Sequence, residues 1–322
     1  TILRWELEQL PNLEIVVCLG TRALKAITGL PSADAYRGSV LTTQLSNNRR
    51  VQVVVLNNPA AVLRQPRRAI LFHFDCKRLG EVFNGTFTEH PITTRINPSF
   101  DEAIAWIDRM QSDGKPVALD IEVSGGECIC IGLGNSAHEA MCIPLRTQTD
   151  NYFTEDEEVA LWQRMAKFVA DPSVRLVMQN GNFDATFLWY KCRLKIESFY
   201  FDTMLAHHTL YSTMPHGLGF LCTQYTTHPY YKDEGKAWKE GGSIEREWEY
   251  NCKDVAITWA VYEAELRELQ EQKLDDFFFN HVMRLQPHLV EMTVLGVQTD
   301  ASKLSLIHIS EPTRLLSISY AV

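Results

Sequence analysis

Between positions 116 and 122 the chain reads Pro-Val-Ala-Leu-Asp-Ile-Glu, an apolar run that ends in two carboxylates spaced i and i+2. In an extended strand side chains alternate with period two, so Asp120 and Glu122 share one face. Two carboxylates held together on an inner strand repel each other and lose hydration, and a cation between them offsets both costs. An all-oxygen ligand set favours magnesium or manganese. Taken alone, the pair reads equally well as a strand end turning into solvent. Two later stretches add acids to it. Asn180-Gly-Asn-Phe-Asp184 follows the apolar run 174–178, and Tyr250-Asn-Cys-Lys-Asp254 lies on a stretch with helical periodicity. One helical turn separates Tyr250 from Asp254, so phenol and carboxylate lie on the same face.

In this order, and in these strand and helix contexts, Asp120, Glu122, Asp184 and Asp254 with Tyr250 resemble the motif set of the DEDD exonucleases, tyrosine subtype. The chain thereby resembles the proofreading 3′–5′ exonuclease domain of family A (DNA polymerase I-like) DNA polymerases. The resemblance implies an α/β fold of ribonuclease H-like architecture with a mixed central sheet, and hydrolysis of the terminal phosphodiester at the 3′ end of single-stranded DNA. It also implies two divalent ions, Mg2+ or Mn2+, about 4 Å apart, which activate water and stabilise the leaving oxygen. On the same ground Asp120 bridges both ions, Glu122 and Asp254 complete one site, and Asp184 helps to hold the other. Tyr250 orients the attacking water, and Asn180 supports the substrate end. One departure is Val123, where the family usually carries threonine; it bears on the fit of the terminal nucleotide and leaves the metal ligands untouched.

The elements that must position these residues are legible from pattern. Strands are expected at 117–123, 127–134 and 138–145, joined by turns at Gly125-Gly126 and Asn135-Ser136. Capping boxes at Ser99-x-x-Glu102 and Thr154-x-x-Glu157 start two helices, and Asp171-Pro172 stops the second. A buried strand is expected at 174–178, a helix with Asp184 near its start, and a long helix from Ile244 that carries Tyr250 and Asp254. Asp202 reads as a helix cap or structural residue rather than a metal ligand. His207 and His208 occupy adjacent helical positions that point apart, which argues against a shared metal. The polar stretch 229–243 either lines a single-strand path, with Lys232, Lys236 and Lys239 meeting phosphates, or is an ordinary solvated loop.

Residues 1–91 form a smaller α/β unit ahead of this domain. A buried strand is expected at 14–20, then a helix capped by Thr21 and closed by Gly29, then a buried strand at 51–56. Gly20-Thr-Arg-Ala-Leu and Asn58-Pro-Ala-Ala-Val-Leu-Arg resemble the C-terminal half of a uracil-DNA glycosylase-type domain. In that family a histidine precedes the proline and contacts uracil; here the position is Asn58, so no uracil excision is expected. Arg64, Arg67 and Arg68 read either as a solvated face or as a contact to DNA backbone. The linker near 89–98 leads into the exonuclease domain, 92–272.

Residues 273–303 resemble the segment that joins exonuclease to polymerase in family A, with a turn read at 291–300. The parent is therefore expected to be a DNA polymerase whose polymerase domain is missing here, and the opening at Thr1 reads as that of a fragment. Residues 304–314 and 318–322 match, in order, translated segments of the adapter DNA used in transposase-based sequencing libraries, so the chain from Leu304 onward reads as non-native and is excluded from fold reasoning.

Composition narrows the remaining classes. At 322 residues, 45% hydrophobic and 22% charged, the chain has room for about two folded domains and is not a disordered chain. A net charge of −9 argues against non-specific coating of nucleic acid, yet suits a nuclease whose acids are neutralised locally by metal. No apolar run spans a bilayer and no signal peptide opens the chain, so a cytoplasmic protein of a bacterial or phage-infected cell is expected, with no membrane partner. The eight cysteines contain no Cys-x-x-Cys pair and read as mostly buried free thiols in a reducing compartment, with zinc binding the lesser alternative. Two other functions compete: a free-standing RNA-trimming exonuclease of the same subtype, and a non-catalytic DNA-holding module. The junction-like segment at 292–300 disfavours the first, and the intact carboxylate set disfavours the second.

Overall fold

A computed structural model of the chain describes residues 2–233 and 242–300; Lys236, Lys239 and the segment 304–322 lie outside the described residues. Two sheets organise it. In the first, β1 (Ile15–Leu19), β2 (Val40–Gln44) and β3 (Arg50–Leu56) run in the order β1-β3-β2, with β1 parallel and β2 antiparallel to β3. Helices α1 (Ile2–Glu8), α2 (Thr21–Thr28), α3 (Ala33–Tyr36), α4 (Pro59–Arg64) and α5 (Ala69–Phe83) complete the unit. The central β3 is buried as expected, whereas β1 has a neighbour on one side only and leaves Val17 and Leu19 exposed. Thr21 is the first residue of α2 rather than its cap: Gly20 holds the cap position, and the Thr21 hydroxyl accepts from the Ala33 amide at 3.1 Å. Gly29 does close the helix, in the left-handed region at φ 82°.

The second sheet holds β4 (Thr93–Arg95), β5 (Val117–Ser124), β6 (Glu127–Gly134), β7 (Glu139–Pro144), β8 (Leu176–Met178) and β9 (Phe199–Asp202), in the order β4-β7-β6-β5-β8-β9. β5, β6 and β7 form an antiparallel meander, while β8 and β9 add in parallel on the other side of β5. This is the mixed central sheet of an α/β, ribonuclease H-like architecture. Around it lie α6 (Phe100–Ser112), α7 (Glu155–Val169), α8 (Asn182–Cys192), α9 (Thr203–Leu210), α10 (Leu218–Tyr225), α11 (Ile244–Glu271) and α12 (Met283–Leu295). Both expected capping boxes are formed, at Ser99–Glu102 of α6 and Thr154–Glu157 of α7.

The 28-residue α11 crosses β5, β6 and β7 and contributes Trp248, Cys252, Val255, Ala256 and Trp259 to the main core. The strand expected at 174–178 is reduced to its last three residues. The expected turn at 291–300 begins late, because α12 continues through Leu295 and stops at Gly296 (φ 69°). Among the described residues no helix is long and apolar enough to cross a membrane.

Candidate active site

Asp120 and Glu122 project from the same face of β5, as their spacing requires, opposite Gly132 and Cys130 of β6. A β-bulge follows Glu122 directly, so the strand changes register just past the second acid. Over this face lies α11, at a separation that only glycine permits. A methyl group on Gly132 would sit 2.4 Å from the Asn251 Oδ1 and 2.6 Å from the Val255 Cγ2. The close approach lets the Asn251 amide donate to the Asp120 carboxylate at 2.8 Å, and brings Asp254, one turn on, above the strand. Carboxylate oxygens of Asp120, Glu122 and Asp254 then lie within 4.8 Å of one another, the one such acidic group among the described residues.

Asp184 arrives differently. Pairing of β5 with β8 stops at Ala118–Val177, and beyond it the Asp184 Oδ1 accepts from the Ile121 amide at 3.0 Å. It stands outside the three-carboxylate group but is pinned to the strand between the two β5 acids. The turn ahead of α8 is itself held by Asp202, which accepts from the Asn180 and Gly181 amides at 3.2 and 2.8 Å while capping α9 through Met204 and Leu205. Asp202 thus has the capping role expected of it, and Asn180 sits exposed in that turn with φ 58°. His207 is buried against His216, with the two Nδ1 atoms 2.8 Å apart, whereas His208 faces out.

The acids strain against one another. Burial, then the neighbouring carboxylates of Asp254, Glu122 and Asp184, push the Asp120 carboxyl well above its ordinary range. Burial, followed by Glu247 and Asp254, pushes Glu122 up to about 8, and burial pushes Asp184 up to about 7. One cation answers them. The Lys232 Nζ lies 2.6 and 2.8 Å from the two Asp254 oxygens and 2.7 Å from the Tyr250 Oη. The Tyr231 hydroxyl donates to Asp254 as well. Tyr250 and Asp254 therefore share a face of α11, as one helical turn implies. Burial and the Asp254 charge raise the Tyr250 phenol above its ordinary value, so the ring hydroxyl stays protonated.

Lys232, Tyr231 and Asn251 were not singled out as members of the site from sequence. The hydrophilic loop around Lys232 offered only a phosphate contact, and nothing in its composition distinguishes an inward lysine from a solvated one. Asn251 had a usable signal: it precedes Asp254 by three positions and faces the same strand, where a small residue on β6 leaves it room.

Residues 98–270 match the 3′–5′ exonuclease family of the DNA polymerase A type. The chain belongs to that family. The chain is also similar to DNA polymerase I of Borreliella burgdorferi, at 26% identity over 223 residues. That match takes in 65% of this chain and 23% of the polymerase, so the chain spans less than a quarter of that relative's length. Among solved structures, the POL domain of Pol1 from M. smegmatis, in complex with DNA primer-template and dNTP, aligns with a TM-score of 0.52 at 14% identity, over 71% of this chain and 36% of that one. Trypanosoma brucei RNase D, in complex with RNA U12, aligns with a TM-score of 0.50 at 16% identity, over 67% of this chain and 76% of that one. At these identities the two structures share the fold.

The donors decide whether this site suits a divalent ion. Three carboxylates offer oxygen only, in a group whose mutual repulsion a positive charge relieves, and an ammonium already sits against one of them. The residues fit the ion.

Proposed function

We propose that this exonuclease removes nucleotides from the 3′ end of single-stranded DNA, as the proofreading part of a family A DNA polymerase, and that it is of the tyrosine subtype. The observation that carries the reading is the convergence of Asp120, Glu122 and Asp254 within 4.8 Å, with the Tyr250 hydroxyl tied to the same lysine as Asp254. Two divalent ions, magnesium or manganese, would supply the charge that activates water and stabilises the leaving oxygen. Asp120, Glu122 and Asp254 would hold them, with Asp184 at the edge of the group. Asn251 keeps the Asp120 carboxylate in one orientation. Tyr250, a protonated phenol, holds the attacking water by hydrogen bonding and does not take its proton. Asn180, on the exposed turn ahead of α8, supports the substrate end.

The domain organisation belongs to the same proposal: residues 1–91 a partial uracil-DNA glycosylase-like unit, 92–272 the exonuclease, and 273–303 the start of a polymerase domain. We place its work in the cytoplasm of a bacterial or phage-infected cell, in keeping with eight free cysteines. In the first unit Asn58 is committed to structure, accepting from the Ala60 amide at 2.9 Å as the cap of α4. Incubation with uracil-containing single-stranded DNA is expected to leave no abasic sites.

The deciding experiment measures release of mononucleotides from labelled single-stranded DNA and RNA of the same sequence, with Mg2+ or Mn2+ and with a chelator. Metal-dependent release from the DNA 3′ end, faster than from RNA, is expected. Faster release from RNA would favour an RNA-trimming enzyme, and no release from either would favour a non-catalytic DNA-holding module.

A further inference from the structure

Lys232 sets its ammonium against an acidic group that also suits a metal. Lys232 is not reaching in from a distant surface. Its stem crosses Gly219 of α10, where a methyl group would lie 2.8 Å from the Lys232 Cγ and 2.8 Å from the Tyr230 ring. Its side chain is mostly buried, 23% exposed, against 7% for Asp254. The ammonium lies over the Tyr250 ring, 4.6 Å from the centroid. The residues flanking it are fastened to the N-terminal unit. The Tyr230 amide donates to the Ser39 hydroxyl at 3.0 Å, the Tyr230 and Tyr36 rings meet edge to face at 5.0 Å, and the Tyr36 hydroxyl donates to Asp233 at 3.1 Å.

Resting on the metal site proposed above, we propose that Lys232 is a displaceable internal counter-ion: it holds Asp254 when no metal is present, gives up that carboxylate when a divalent ion binds, and is clamped in place by the N-terminal unit through Tyr36 and Ser39. An ammonium at hydrogen-bonding distance from both Asp254 oxygens repels a divalent ion bound to the same carboxylate, and that repulsion is screened far less in a partly buried site than in water. Metal binding therefore competes with the ammonium, while the bond from Lys232 to the Tyr250 hydroxyl can persist through a small rotation of a four-carbon stem. The N-terminal unit, which supplies no carboxylate to the site, then acts on metal affinity by fixing the loop that carries the competitor.

The test is direct binding of Mn2+ to the full chain, by calorimetry or by the free-ion electron spin resonance signal, with no nucleic acid present. Thermal melting in chelator and in Mn2+ runs alongside. For Lys232→Met, binding is expected to tighten by roughly tenfold or more. Its melting temperature should fall in chelator and recover in Mn2+. Tyr36→Phe, which keeps the ring and removes the hydroxyl that donates to Asp233, is expected to shift affinity in the same direction by about severalfold, on the scale of a single lost hydrogen bond. Unchanged or weaker Mn2+ binding in Lys232→Met overturns the counter-ion role, and wild-type affinity in Tyr36→Phe overturns the clamp. Failure of the metal site itself is a separate result: the unmodified chain would then bind no Mn2+, or Asp120→Ala would bind it as well as the unmodified chain does.

Discussion

Asp254 and Tyr250 occupy one helix face and touch one lysine, yet they carry different loads. Replacing the Asp254 carboxylate removes a charge from the group that would hold the metal, so Asp254→Ala is expected to slow mononucleotide release by orders of magnitude. Tyr250→Phe keeps the ring over Lys232 and deletes one hydrogen bond. Its cost should be on the order of a few kcal/mol or less, leaving measurable activity. An equal, near-complete loss in both would mean that the phenol takes part in proton transfer. The same acids predict a proton count. Glu122, pushed to about 8 by burial, Glu247 and Asp254, is mostly protonated at pH 7. A carboxylate must be ionised to bind metal, so Mn2+ binding should release protons at pH 7 and tighten as pH rises toward 8. Calorimetry in buffers of different ionisation heat reads this directly, and heats independent of buffer would refute it. At this scale the shared face of Asp120 with Glu122 and that of Tyr250 with Asp254 were legible from periodicity, whereas Asp184 entered through the motif resemblance. Lys232 was not legible as part of the site, because its placement depends on contacts to Tyr36, Ser39 and Gly219 from distant parts of the chain.

At the scale of elements, the site is a distance between a helix and a strand. α11 can carry Asp254 over β5 because Gly132 of β6 leaves space for Asn251 and Val255. Gly132→Ala is expected to lift the helix by a few tenths of an ångström or more and to break the 2.8 Å bond from Asn251 to Asp120. Overpacking of this kind costs roughly 1–3 kcal/mol of stability. Activity should fall further than stability does, since small misplacements of reacting groups cost rate steeply. Chemical denaturation and mononucleotide release measured on the same preparation separate the two. Wild-type turnover in a destabilised Gly132→Ala protein would show that helix and strand need not be so close. The elements themselves were largely readable: both capping boxes, the three-stranded meander and the long helix follow from local chemistry. Misreadings came where tertiary context decides. β1 looked buried by composition yet lies at a sheet edge, and Thr21 looked like a cap yet hydrogen bonds to Ala33 instead.

The stability of the whole molecule carries one burden the site does not need. Glu265, on α11 far along from Asp254, is fully buried, and among the described residues neither of its carboxyl oxygens has a hydrogen-bond partner. The neighbouring groups that act on its charge are themselves acidic, Asp202 from β9 and Glu268 from its own helix, and its charge in turn raises the Tyr225 phenol of α10. Glu268 instead receives the Tyr211 and Tyr225 hydroxyls. Burial, then Asp202 and Glu268, raise the Glu265 carboxyl well above its ordinary value. An unfolded glutamate loses its proton near pH 4.3. Above that pH the folded state binds more protons than the unfolded one, and this group's contribution to stability declines as pH rises toward its folded value. Glu265→Met fills nearly the same space and removes both the titration and an unpartnered polar group. The variant is expected to be more stable by about 1–3 kcal/mol at neutral pH, from the polar group alone. The gain should be larger at pH 8 than at pH 5, because only the parent is still losing stability there. Denaturant unfolding of both proteins across that range, in chelator so that metal binding does not enter, gives the two curves. A gain that does not change with pH would mean that Glu265 is charged, or paired, in the folded chain.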